Sequence, residues 1–255
     1  MTFNLRINVA SDDHNRWPYR YHSVSKFIRD QKPLVVGTQE VSSKMQDDLK
    51  PQLQDYTFFG VPRNPNEESN TLLFDHTQLN LMTGGTFWLS ETPSLPFSSN
   101  PDSACVRICT WAEFSFKKTP SKVFRIFNTH LDHVSQRARI NGLSIIFEKI
   151  KYHQTLSLMP TILMGDFNDT PNSDTLKYIK RFEHEAQFPT LDTHRLKSSQ
   201  NIATYHGFNG PYLGEPIDYV FITPDIKCLN YTIFTDQINN QDLSDHFPVV
   251  VTLSF

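Results

Sequence analysis

Over residues 1–50, short apolar blocks alternate with stripes of helical period. Met1 to Arg6 reads as a strand that ends between Asn4 and Asn8 and opens into the polar stretch Ser11-Asp12-Asp13-His14-Asn15. Tyr21, Val24, Phe27 and Ile28 recur at helical spacing, and the helix they predict stops before Pro33. Leu34-Val35-Val36-Gly37 is a buried strand with Thr38-Gln39-Glu40 at its end. Met45 and Leu49 predict a short helix capped by Ser42 or Ser43 and cut off near Pro51. Strand, helix, strand, helix is the opening of an α/β architecture.

The middle of the chain changes period. Tyr56 to Val61, Asn70 to Asp75, Leu79 to Met82, Gly85 to Leu89 and Arg107 to Phe116 predict successive strands, separated by Pro/Asn/Ser-rich loops at 63–69 and 91–103. Val123 to Asn128 predicts another strand, which delivers Thr129-His130-Leu131-Asp132-His133. A helix follows, with Ile140, Leu143, Ile146, Phe147 and Ile150 on its apolar face. Thr161-Ile162-Leu163-Met164 predicts a fully buried strand that breaks at Gly165 and presents Asp166-Phe167-Asn168-Asp169, with Phe167 turned inward. A helix around Thr175 to Phe182, a strand at Ile217 to Ile222 and a last strand at Pro248 to Phe255 complete the pattern. No repeat or linker divides it, so one domain over 1–255 is expected.

Composition narrows the class. Net charge is −3, from 24 basic and 27 acidic residues without a run of like charge, which argues against a broad nucleic-acid-coating face. Three cysteines, Cys105, Cys109 and Cys228, form no Cys-x-x-Cys pair and imply neither a disulfide framework nor a structural zinc site. No apolar stretch reaches membrane-spanning length, and a strand at the very start leaves no room for a signal peptide. The expectation is a cytoplasmic monomer with reduced thiols.

The chemistry sits where strands stop. Asn4, Glu40, His130, Asp166 with Asn168, Asp218 and Asp245-His246 all lie at or beside predicted strand ends. Each alone reads as a turn or cap residue; their coincidence is what suggests a site. Carboxylates and an amide suit a hard cation such as Mg²⁺, with Mn²⁺ as a substitute. Two histidines and an acid to orient one of them suit general acid–base work. An EF-hand is excluded, because its glycine position is Pro171 and its twelfth position Lys177.

In this order, Asn4, Gln39-Glu40, Asn128-Thr129-His130, Gly165-Asp166-Phe167-Asn168, Ile217-Asp218-Tyr219 and Ser244-Asp245-His246 resemble the endonuclease/exonuclease/phosphatase superfamily, also called deoxyribonuclease-I-like. Gly85-Thr86-Phe87-Trp88-Leu89-Ser90-Glu91 and Arg107-Ile108-Cys109-Thr110-Trp111-Ala112 are similar to a bacterial branch of metal-dependent hydrolases. The resemblance implies a four-layer α/β sandwich, two packed mixed β-sheets flanked by helices, with the site at the edge where both sheets end. It implies that Glu40 is the principal metal ligand, assisted by Asn4 and Asp245. It further implies that His246 is a general base held by Asp218. Asp166 would position the water or the base, Asn168 would bond a phosphate oxygen, and His130 would stabilise developing charge or assist the leaving group. Arg107 is the candidate substrate-binding cation.

Two other readings compete. His130-x-Asp132-His133 resembles part of a metallo-β-lactamase zinc motif, but Asn128 stands where that motif needs another histidine. A non-enzymatic α/β binding module is the other. Within the phosphoesterase reading, nucleases, inositol-phosphate phosphatases, sphingomyelinases and deadenylases share such a site, and selectivity would lie in loops 12–20, 91–107 and 206–215. Arg16, Arg20 and Arg107 are the only Lys or Arg in or beside them, which favours a compact phosphoester over a nucleic acid. Trp17, Trp88 and Trp111 are candidates to face a substrate ring or to serve as scaffold.

Overall fold

A computed structural model describes residues 1–186, 191–193, 201–210 and 212–255. Among these residues twelve strands and four α-helices follow one another as β1 (Thr2–Asn4), α1 (Trp17–Gln31), β2 (Val35–Gln39), α2 (Ser43–Leu49), β3 (Tyr56–Phe59), β4 (Leu72–Asp75), β5 (Leu79–Trp88), β6 (Ile108–Phe116), β7 (Thr119–His130), α3 (Gln136–Leu156), β8 (Thr161–Asp166), α4 (Asp174–Ala186), β9 (Leu191–Asp192), β10 (Asp218–Ile222), β11 (Lys227–Ile233) and β12 (Val249–Ser254). They build two six-stranded sheets, ordered β11-β12-β1-β2-β4-β3 and β5-β6-β7-β8-β10-β9. Both are mixed: β1–β2 and β7–β8 run parallel, the remaining pairs antiparallel.

Three apolar layers hold the sandwich. Val35, Leu72, Phe74, Phe114, Ile126, Ile162, Met164 and Val220 fill the space between the sheets. Phe3, Leu5, Val36 and Leu73 turn the other way onto α1 and α2, where Val24, Phe27, Ile28, Met45 and Leu49 meet them. Phe127, Leu163, Phe167, Tyr219 and Phe221 lie under α3 and α4, against Leu143, Ile146, Phe147, Ile150 and Leu176. The result is the expected four-layer sandwich.

Strand periodicity then explains why the site is where it is. Successive side chains alternate faces, so Ile162, Met164 and Asp166 share the inner face of β8, and Ile222, Val220 and Asp218 share that of β10. Ile126, Asn128 and His130 do the same on β7. The inner face is apolar along most of its length and turns polar in the last rungs, at one edge of the sandwich. Registers place His130 beside Asp166 and Asp166 beside Asp218. In the other sheet Asn4 pairs with Gln39, one residue before Glu40.

Local signals act as read. Ser42 and Ser135 cap α2 and α3 by accepting from Met45 N (3.3 Å) and Ala138 N (3.1 Å). Lys32 closes α1 in the left-handed region at φ 48°, and Pro33 follows. Besides the two-residue β9, which the pattern does not predict, two features differ from it. The blocks at 79–82 and 85–89 form one strand, because the ladder to β6 absorbs a bulge between Leu81 and Thr83. Gly84 does not break it: a Cβ there would lie 2.7 Å from Trp111 O and 2.8 Å from the Phe59 ring, so glycine serves close approach. The other is β11, whose alternation is blurred by a bulge between Cys228 and Asn230 and which the sequence pattern does not predict.

Candidate active site

Gly165 sets the turn that ends β8. Its φ is +145°, and a Cβ would fall 1.9 Å from Thr129 O, so the strand carrying His130 and the strand carrying Asp166 can run this close only with glycine here. Phe167 is then driven inward, fully buried on Tyr219 and Phe221. Asn168 sits in the left-handed region at φ 50°, its backbone N–H donating to Asp166 Oδ1 at 2.9 Å and its amide to Leu131 O at 3.0 Å.

Around Asp166 the two sheets meet. Asn4 Nδ2 donates to Asp166 Oδ2 (3.0 Å) and to Glu40 Oε1 (3.1 Å), while Asn4 Oδ1 accepts from Arg6 N at 3.0 Å. Glu40, itself at φ 62°, accepts from Ile7 N through Oε2 at 2.9 Å. His246 Nδ1 lies 2.9 Å from Asp218 Oδ2 and its Nε2 lies 3.7 Å from Asp166 Oδ2. His130 Nε2 stands 3.4 Å from the same Asp166 oxygen. Below them Gln39 Nε2 donates to Asn128 Oδ1 across the sandwich at 2.7 Å, and Asn128 Nδ2 returns to Thr38 O at 3.0 Å, pinning sheet to sheet under the site.

A cavity of about 400 Å³ opens over this cluster. Seven of the nine residues expected from sequence line it: Glu40, Arg107, His130, Asp166, Asn168, Asp245 and His246. Asn4 and Asp218 stand behind, both buried, holding Asp166 and His246. Arg6, Arg63, Glu68, Cys105, His133 and Tyr205 also face it. Sequence reasoning missed Arg6 although it lies two places past Asn4. It missed Arg63 and Glu68 because an ion pair inside a Pro/Asn/Ser-rich loop carries no period. Tyr205 falls one residue before the loop taken as a candidate wall; Pro211 of that loop lies outside the described residues.

Charge states follow from burial and neighbours. Burial raises the Asp166 carboxyl, Asp218 raises it further, and it reaches about 7 despite His246 and the N–H donors. Burial alone would discharge His246, but the carboxylates of Asp218, Asp166 and Asp245 outweigh it and lift the ring to about 10. The resemblance implies that His246 is a general base; without a metal, the carboxylates around it favour the protonated ring. His130 is the opposite case, its pKa driven well below 6.5 by burial and then by Arg107, His246, Arg63 and His133. Asp245 is raised by burial and by Glu40, against the pull of His246 and Arg6.

The donor set fits a hard divalent cation. Glu40 and Asp245 are oxygen donors; burial raises Asp245 and the Glu40 charge raises it further, a repulsion that a cation held by both would relieve. Asn4 directs its amide nitrogen at the acids and its oxygen at Arg6 N, so in this geometry it braces Glu40.

The arginines sort by partner. Arg20, expected beside a substrate loop, is fully buried and donates to the carbonyls of Asn15, Leu5, Leu243 and Arg6. Charge-assisted bonds are worth roughly 1.5–3 kcal/mol each, so four of them make Arg20 the clamp between the end of β1 and the segment before Asp245. Arg6 pairs with Asp12 (2.9 Å) and leans on Asp245 (3.6 Å); Arg63 pairs with Glu67 (2.6 Å) and Glu68 (2.7 Å). Arg107 has no carboxylate partner among the described residues. Its Nη2 donates to His133 Nδ1 at 3.0 Å, and its buried Nε has no acceptor among them.

The tryptophans are scaffold. Trp17 is buried and donates to Asp48 Oδ2 (3.1 Å), Trp88 donates to Arg63 O (2.9 Å), and Trp111 stacks on Phe127 with centroids 6.2 Å apart. The zinc-motif alternative loses its acid: Asp132 already accepts from Ser103 Oγ, Ala104 N, Val134 N and Ser135 N. Among the described residues no helix is long and apolar enough to cross a membrane.

Known proteins share this fold. A mannosyl-6-phosphatase of Bacteroides thetaiotaomicron is 28% identical, with a TM-score of 0.90 over 100% of this chain and 98% of that one. An endonuclease/exonuclease/phosphatase of Bacteroides vulgatus is 33% identical, with a TM-score of 0.90 over 99% of this chain and 97% of its own. The human Nocturnin catalytic domain shares the fold at 19% identity, with a TM-score of 0.76 over 99% of this chain and 91% of its own. No curated protein sequence matches the chain. Residues 1–246 match the profile of the Endonuclease/Exonuclease/phosphatase family. By that match and by its fold the chain belongs to this family, whose enzymes act on phosphate esters and generally depend on a divalent metal.

Proposed function

We propose that this protein is a Mg²⁺- or Mn²⁺-dependent hydrolase of a compact phosphoester, a sugar-phosphate monoester being the leading class. The observation that carries the compact substrate is the state of the arginines that line the cavity among the described residues: Arg6 and Arg63 are committed to carboxylates, and Arg107 alone of these three is not. One uncommitted guanidinium suits the non-bridging oxygens of a single phosphate. A polyanion would need a track of them. The mannosyl-6-phosphatase, similar over its whole length, supports the same class.

Glu40, with Asp245 and Asn4 around it, would hold the cation, which when bound polarises the phosphoryl group and offsets its charge. The chain's own groups handle the proton. The water oxygen bonds to phosphorus while its proton passes to Asp166, whose pKa near 7 suits an acceptor at neutral pH. The ester P–O bond breaks, and the departing oxygen takes a proton from the His246 imidazolium. Asp218 keeps that ring oriented through Nδ1, and Asn168 and neutral His130 flank the phosphoryl oxygens.

The test is kcat/KM for hexose phosphates, glycerol phosphate, bis-nitrophenyl phosphate and short DNA and RNA, with and without Mg²⁺, across a salt series. A substrate held by one guanidinium should show a log–log salt slope of about −1 or shallower, against roughly −5 or steeper for six phosphates. Efficient cleavage of long duplex DNA with that steep slope would overturn the compact substrate, and full turnover in EDTA would overturn the metal-dependent reading.

A further inference from the structure

Beyond the acids, bases and arginines, one wall of the cavity is aromatic. Tyr205 lines it and is 50% exposed, with its ring centroid 5.0 Å from that of His246 and the planes at 58°. Large aromatics are normally buried, and its own neighbours are. Thr204 is fully buried, its Oγ1 accepting from Ile217 N (2.9 Å) and Asp218 N (3.1 Å) and its carbonyl from Phe247 N (2.7 Å). His206 is buried too, stacked on Phe247 at 4.2 Å, with its N–H on Asp245 O at 2.9 Å.

This segment therefore ties the start of β10 to the Asp245–Phe247 stretch, with Tyr205 in an isolated antiparallel bridge to His246. Alternation sends the residues on either side into the core and leaves Tyr205 alone to project over the catalytic groups. Gly207 behind it has φ +59°, and a Cβ there would come within 3.1 Å of the Tyr205 hydroxyl, so the backbone is cleared for the ring to lie where it does. Burial and then Asp245 raise the phenol, so it stays neutral and its face keeps its aromatic character through the physiological range.

We infer that Tyr205 is a specificity-determining platform for a substrate whose organic group carries a ring, the ring's flat face packing on the exposed face of the tyrosine. The inference rests on the phosphoesterase reading of the site and adds that acyclic phosphoesters are the poorer class. A pyranose presents C–H bonds to such a face and a nucleoside presents a base; both meet the same requirement, and the experiment separates them. His246 cannot supply this contact itself, because it is buried.

The experiment compares wild type with Tyr205→Ala and Tyr205→Phe on hexose 6-phosphates, a nucleoside 5′-monophosphate and glycerol 3-phosphate. Stacking on an aromatic is worth about 1–3 kcal/mol, which is roughly 5- to 150-fold. For the ring-bearing class that is used, Tyr205→Ala should lower the ring-to-acyclic ratio of kcat/KM by about tenfold, mainly through KM. Tyr205→Phe should hold that ratio within about twofold. A merely supporting role for His246 would lower kcat on all three substrates alike and leave the ratio unchanged, and that result overturns the inference. Calorimetric Kd values for the same phosphoesters, measured without turnover, give an independent readout. If the protein hydrolyses none of them, the functional reading fails, yet a ring-selective Kd that Tyr205→Ala abolishes would still uphold the platform. Equal affinity for cyclic and acyclic ligands would reject it.

Discussion

Asn4 and Asp166 stand 3.0 Å apart, amide nitrogen to carboxylate, although one ends a strand of the first sheet and the other a strand of the second. The same amide reaches Glu40, so one side chain joins the acid that would hold a cation to the acid that would take a proton. Asn4→Asp keeps the shape but turns a shared donor into a third carboxylate. Thermal melts should show the metal-free variant less stable than wild type, by about 1–3 kcal/mol. Saturating Mg²⁺ should recover more stability in the variant than in wild type. Equal melting of the two proteins without metal would remove Asn4 from this role.

Asp218 and His246 share a buried 2.9 Å contact and should fail together. His246→Ala and Asp218→Asn are each expected to lose about two to four orders of magnitude in kcat. The double variant should lose little more than the worse single one, because the two groups act as a unit. Multiplicative losses would show independent roles. Asp166→Asn should be comparably damaging and should abolish the rise of wild-type activity through about pH 7. Persistence of that rise would assign it to another group.

Glu40→Gln keeps size and removes charge. Activity should fall about 10²-fold or more and recover in part at high Mg²⁺, since hard cations bind carboxylates in preference to amides. Melting of the metal-free variant should be unchanged or higher, as Glu40 is one of the charges that raise Asp245. Titration of metal-stripped enzyme with Mg²⁺, read as turnover, measures the shift. Wild-type metal dependence in the variant would remove Glu40 from the metal site.

His246 binds its proton more tightly folded than unfolded, so its linkage has a definite sign. The stability it contributes is fully present below its ordinary pKa of 6.5 and is lost as pH rises through about 10. Melting of the metal-free protein should therefore fall between those limits, and His246→Asn should flatten that part of the curve while lowering the whole of it. Asp166 has the same sign in a lower window, its contribution present below 3.8 and lost through about 7. A wild-type melting temperature that is constant from pH 7 to 10 would show that the ring is not held as a cation.

Much of this was legible from order alone. Apolar blocks marked the strands, serines and prolines marked helix ends, and the chemistry-bearing residues fell at strand ends, because these signals act over a few neighbouring residues. Even the inward turn of Phe167 could be read from its place after a glycine. Other features arise from pairing over long distances. The rung that aligns His130, Asp166 and Asp218 is a matter of register between strands up to 88 residues apart. Arg20 looked like a phosphate contact and became a buried clamp because the carbonyls of Leu5, Arg6, Asn15 and the distant Leu243 converge on it. Tyr205 became a cavity wall because the start of β10 and the Asp245–Phe247 stretch bury Thr204 and His206. The pKa of His246 is raised because Asp218, Asp166 and Asp245, from three separate segments, outweigh its burial. Local composition determined which residue types stood at each strand end; tertiary structure decided their neighbours, and therefore which were committed and which faced the cavity.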